Sequence, residues 1–137
     1  MNFLQRLFSF KKQTFDGVLA AKVLDVQKHP NADRLRVVKL DVGNKVIEPV
    51  VCGAFNFGVG EMVALALPGA TIPQNIHSEK HESFVLEKAK IRGIESQGMI
   101  CAAYELGIGS LSEKPEILLL KDSVNPGSQF TPSMINN

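Results

Sequence analysis

The run "EMVALALPG", Glu61 to Gly69, has no polar side. In an extended chain Met62, Ala64 and Ala66 point one way while Val63, Leu65 and Leu67 point the other, so each face of such a strand has to be covered. Alanines at alternate positions let neighbouring backbones approach closely. The run therefore predicts either a strand covered on both faces or small residues placed where a sheet closes tightly on itself. Pro68-Gly69 then ends it in a turn.

Comparable runs precede it. "GVLAAKVLDVQKH" is rich in β-branched and aliphatic residues and leads into "PNAD", where Pro30 presets a turn and Asn31 and Asp33 can bond their own backbone. "LRVVKLDVG" and "KVIEPVVCG" follow, separated by Gly43-Asn44, a short hairpin signal. A polar, unpatterned segment from Pro73 to Ser83 reads as a flexible loop. "MICAAYELG" supplies a further strand and one helical turn, and "EILLL" from Glu116 a last apolar strand.

With 45% apolar content in 137 residues, these strands suffice for one core. Cys52 and Cys101 both end apolar runs and read as buried free thiols of a reducing compartment, the cytoplasm. "MNFLQRLFSFKK" has helical apolar spacing at Phe3, Leu4, Leu7 and Phe8 but is too short to span a bilayer, so no membrane partner is expected. The expected organisation is an amphipathic helix or extension over residues 1–14, one domain over 15–128 and a flexible tail over 129–137.

The formal net charge is only +1, too little for a polybasic protein that holds nucleic acid by bulk charge. The charge is nonetheless segregated. Residues 1–92 carry 13 Lys/Arg against 9 Asp/Glu, and residues 93–137 carry 2 against 5. Within "EKAKIRGIESQGMICAA", an extended chain places Leu86, Lys88, Lys90 and Arg92 on one face and Glu87, Ala89 and Ile91 on the other. Successive cations then stand about 6–7 Å apart, a spacing suited to following phosphates along a nucleic-acid strand.

Short strands, tight turns, one long loop and little helix predict an all-β fold: a five-stranded oligonucleotide/oligosaccharide-binding (OB) barrel with short additional strands and a short N-terminal helix. Three stretches carry a closer resemblance. "KHPNADRLRVVKLDVG", "VVCGAFNFGVGEMVALALPGATIP" and "AKIRGIESQGMICAAYELGIG" are similar to the tRNA-binding OB-fold domain near the amino terminus of the bacterial phenylalanyl-tRNA synthetase beta subunit. The wider family takes in methionyl-tRNA synthetase extensions and free-standing tRNA-binding proteins.

The resemblance implies a noncatalytic module that binds tRNA without reading base sequence and delivers or holds it for aminoacylation by a synthetase. It implies RNA contacts at the loop residues His29, Asn31, Asp33 and Arg34 and, past the basic strand of Lys88, Lys90 and Arg92, at Ser96 and Met99. Phe55 departs from the smaller residue or proline usual before the asparagine matched by Asn56, and Ala102 replaces a common serine. A synthetase beta subunit is several hundred residues long, so the chain is either a free-standing relative, often a homodimer, or a piece of a longer one. The alternative reading is an OB module for protein or subunit association.

Other chemistry finds little support. His77 and His81 lack a third ligand at zinc-site spacing, so no metal is expected. Ser96 has no histidine partner in a nearby motif, and no phosphate loop of the GxxxxGK type is present, so neither nucleophilic catalysis nor nucleotide hydrolysis is indicated, and no cofactor is expected. Phe55 and Phe57 can stack bases or pack the loop.

Overall fold

The computed structural model describes residues 15–111 and 113–136; the helix expected over residues 1–14 lies outside them. Among the described residues the chain is nearly all β. Its strands are β1 (Val18–Lys28), β2 (Arg36–Asp41), β3 (Val46–Cys52), β4 (Met62–Ala66), β5 (Thr71–Ile72), β6 (Phe84–Val85), β7 (Ala89–Ile91), β8 (Ile94–Ser96), β9 (Met99–Ile100) and β10 (Leu119–Leu120). A single 3₁₀ turn, Pro132–Met134, follows.

β1, β2 and β3 form the expected antiparallel meander. Gly43 and Asn44 lie within its second turn, where Val42 N–H donates to Lys45 O and Gly43 N–H to the Asp41 carboxylate. β4 returns beside β1, and its outer edge is shared: β9 pairs Leu65 and Ala66, while β10 pairs Met62 and Val63. The β2–β3 ladder is irregular between Val38 and Leu40, near Pro49, which has no N–H to give. The Pro49 carbonyl accepts instead from Gln97 N–H at 2.9 Å, and Val51 N–H donates to Ser96 Oγ at 3.0 Å. These bonds stitch β3 to the segment entering β9, which pairs β4. The sheet thus curls into a barrel-like shape in which β3 meets the segment entering β9 through point contacts rather than a ladder.

All five residues of β4 are buried, and they divide the core. Val63 and Leu65 face the barrel interior with Val23, Val38, Leu40 and Val50. Met62, Ala64 and Ala66 face a second layer built from Phe15, Ile72, Leu106 and Phe130. Burying a side chain such as Leu65 contributes about 1.5–3 kcal/mol, which explains why neither face tolerates a polar residue. The thiols divide likewise, Cys101 in the outer layer and Cys52 inside; both are free, and burial raises both above the ordinary thiol range.

The C-terminal segment corrects the expectation of a loose tail. Phe130 is 1% exposed, stacks edge-on against Phe15 at 5.1 Å and bonds through its N–H to Val18 O. Asn136 N–H reaches Leu119 O, so the chain stays docked across the sheet as far as Asn136. "FTPSMI" is apolar enough to cover the outer face of β1 and β4, which the barrel alone leaves bare. The segment from Pro73 to Ser83 is also tied down: the β5–β6 ribbon closes it, Asn75 N–H donates to Glu82 O, and His81 Nδ1 lies 2.6 Å from Tyr104 Oη. Consecutive turns stand where one helical turn was expected after Ala103.

Candidate nucleic-acid interface

β7 and β8 form a hairpin in which Ile91 faces Ile94, leaving Arg92 and Gly93 as its two turn residues. Both have positive φ, +52° and +94°, the requirement of a type I′ turn. The cation ladder is therefore shorter than the alternation predicts. Lys88 and Lys90 are exposed, Lys90 opposite Glu95, but Arg92 sits at the hairpin tip rather than on the strand. Glycine meets the second turn position without cost, whereas a left-handed Arg92 costs roughly 1–2 kcal/mol.

The "HPNAD" loop lies against this hairpin, and one buried side chain holds the two together. His29 is 1% exposed. Its Nδ1 accepts from Asn31 N–H at 3.0 Å, so the ring proton sits on Nε2, which lies 3.1 Å from Ile91 O and donates to it. His29 is thus a positioning residue rather than a phosphate contact. Asn31 Nδ2 lies beside Gly93, 3.9 Å from where a Cβ would stand. Asp33 is exposed and pairs with Lys28 at 3.3 Å, a contact that contributes little at such exposure. Arg34 is exposed. The loop that carries Lys28 and Arg34 thus lies against the hairpin that carries Lys90 and Arg92.

Of two further expected contacts, one turns inward and the other lines a cleft. Ser96 is 3% exposed, and its hydroxyl is spent within the protein, accepting from Val51 N–H and donating to Gly98 O at 2.8 Å. It ties β3 to the segment entering β9. Met99 is half-buried against the outer layer and lines a largely apolar cleft of about 710 Å³ with Ala89, Ile91, Ala102 and Ile117. Gly98 is required there because a Cβ would come within 2.7 Å of Ala66 O. His29 and Ser96 were both legible as motif residues, but their inward roles depend on partners 62 and 45 residues away.

Glu105 lies in the same cleft, 5% exposed, and sequence reading did not single it out. Its Oε1 accepts from Ala102 N–H at 2.9 Å. Burial raises its carboxyl above the usual range, opposed by that hydrogen bond and by His77. A carboxyl raised on folding holds its proton more tightly in the native state. Its stabilising contribution is full below the unfolded value near 4.5 and is lost as pH rises through the folded value. Glu105→Gln, which keeps an oxygen for Ala102 N–H, should unfold at a higher temperature than wild type at pH 7, the gap closing as pH falls towards 4.5. Melting curves across this range check it; a gap independent of pH would contradict the assignment.

Among the described residues no three His, Cys, Asp or Glu side chains gather to hold a metal, and no helix is long and apolar enough to cross a membrane. A curled β-barrel with a basic hairpin pinned to a turn-rich loop defines an OB-type binding module. The family model described as "Putative tRNA binding domain" matches residues 18–129, and the chain belongs to that family. It is 47% identical over 115 residues to the phenylalanine–tRNA ligase beta subunit of Dechloromonas aromatica, covering 84% of this chain and 13% of that one. It is 40% identical over 124 residues to the corresponding subunit of Chlamydia pneumoniae, covering 90% and 15%. The chain thus spans about one seventh of these relatives. A MetRS related protein from Pyrococcus horikoshii shares the fold at TM-score 0.58 and 16% identity, covering 96% of this chain and 98% of that one.

Proposed function

We propose that the chain binds tRNA by its phosphates at the end of the barrel carrying the loop and the hairpin, without base-sequence readout, and holds it for aminoacylation by a phenylalanine–tRNA ligase, whether as part of that enzyme or beside it. The carrying observation is the His29 bridge, which fixes the two cation-bearing motifs relative to each other although 62 residues separate its partners. Phosphate contacts set position and carry no sequence information, which suits a module serving several tRNAs. The module supplies no catalytic group, and the cytoplasm, where aminoacylation proceeds, is its place of action. Two copies would present two linked patches and strengthen binding by raising effective concentration.

A salt titration against tRNA, duplex DNA and heparin tests this, with light scattering on the same samples giving the mass. Expected are tighter binding of tRNA than of either competitor at equal charge and a steep fall of affinity with salt. Equal affinity for heparin would reduce the site to a general polyanion surface. No affinity for any of the three would favour the alternative, a module for protein association.

A further inference from the structure

Phe55 is 57% exposed although Phe57, two residues on, is buried. The Arg36 guanidinium lies over both rings, its carbon 4.8 Å from the centroid of Phe55 and 4.4 Å from that of Phe57. Arg36 is itself fixed, one Nη2 donating to Ala54 O at 3.0 Å and Phe57 O at 2.9 Å, on either side of Phe55. From the other side Asn56 holds the backbone of Ile117, accepting from its N–H and donating to its carbonyl, both at 2.9 Å. An aromatic residue more than half exposed is thus carried on a braced loop with a cation over its ring.

The position of this ring gives it an occupant. A Cβ at Gly53 would stand 3.8 Å from Arg34 O and 3.5 Å from Leu35 Cδ2, so the Phe55 loop abuts the end of the "HPNADR" segment. A strand whose phosphates met Arg34 would run close to this loop. We propose that Phe55 is a stacking platform for one unpaired nucleobase of the bound RNA, a contact separate from the phosphate site and resting on the tRNA-binding reading above. Stacking suits a module without sequence readout because every base has a π face. Bracing by Arg36 and Asn56 removes most of the ordering cost of such a contact. An uncharged apolar protein partner has no comparable reason to settle beside a cationic rim.

Phe55→Ala should weaken binding of tRNA and of a single-stranded RNA oligonucleotide about 5- to 150-fold, the range that base–aromatic stacking supplies. Duplex RNA, whose bases are already stacked, should change less than about twofold, and the slope of log affinity against log salt should not move, because no phosphate contact is lost. Phe55→Trp should restore binding. Since the chain has no tryptophan, that variant also carries a single indole whose emission should be quenched by the single strand and not by the duplex. Phe55→Leu, apolar but without a π face, should not restore it. Unfolding of Phe55→Ala, followed by circular dichroism, should match wild type to within a few degrees.

Unchanged single-strand affinity in Phe55→Ala, full rescue by leucine, or equal losses for duplex and single strand would each overturn the platform. Rescue by leucine would mark the patch as an apolar contact for a protein. Wild-type protein that binds RNA while Phe55→Ala is indifferent removes the platform alone; wild-type protein that binds no RNA removes the tRNA reading as well.

Discussion

Reversing Lys90 and Arg92 to Glu together should cost about 1–3 kcal/mol of tRNA affinity for each charged contact removed. Each lost phosphate contact should make the log affinity against log salt slope shallower by about 0.7 on single strands or 0.9 on duplex. The loss should be similar for several tRNAs. Lys90→Glu also places a carboxylate opposite Glu95 in the β7–β8 ladder, a small cost to the hairpin. A Lys90→Gln, Arg92→Gly pair separates the two effects. Glycine relieves the left-handed strain at Arg92, so this pair should unfold at or above the wild-type midpoint while still binding weakly.

Control reversals at Lys22 and Lys121 should do much less. Both are exposed; Lys22 pairs with Met62, Lys121 follows Leu120, which pairs with Met62 from the other side, and Lys22 is six residues, about 20 Å of strand, from Lys28 beside the loop. Equal losses from control and test pairs would mean that only net charge matters. A double reversal that binds as tightly as wild type would take the hairpin out of the interface.

The parts of the fold legible in the sequence are those governed by local pattern. The two-faced apolar run Met62–Ala66 demanded cover on both sides and received it from two layers. The meander followed from β-branched runs between turn residues. The hairpin tip was misread because alternation continues through Arg92 only if the strand does; "IRGI" places a two-residue turn there instead, and arginine hides the signal that Asn or Asp in its place would have made plain. The tail was misread for a different reason. Phe130, Met134 and Ile135 are apolar, but the bare outer face they cover is visible only once β1 and β4 are paired. The candidate site divides in the same way: the exposed cations follow from local spacing, whereas the burial of His29 and Ser96 is a property of distant chain brought alongside.

Removing His29 should damage both folding and binding. His29→Leu leaves Ile91 O and Asn31 N–H without their partner inside the protein, roughly 1–3 kcal/mol for each group orphaned. Affinity for tRNA should fall with it, since the loop and hairpin are no longer held in register. Two further variants divide the histidine by atom. His29→Asn keeps an acceptor near the Nδ1 position for Asn31 N–H, and His29→Gln keeps a donor near the Nε2 position for Ile91 O. If joining loop to hairpin is what matters to RNA, the glutamine variant should retain more affinity than the asparagine or leucine variants even where their stabilities are alike. Denaturant unfolding gives the stabilities, and tRNA titrations well below each variant's unfolding midpoint give the affinities. Equal affinity in the asparagine and glutamine variants would confine His29 to bracing its own loop, and a leucine variant as stable and as tightly binding as wild type would remove the bridge from the account.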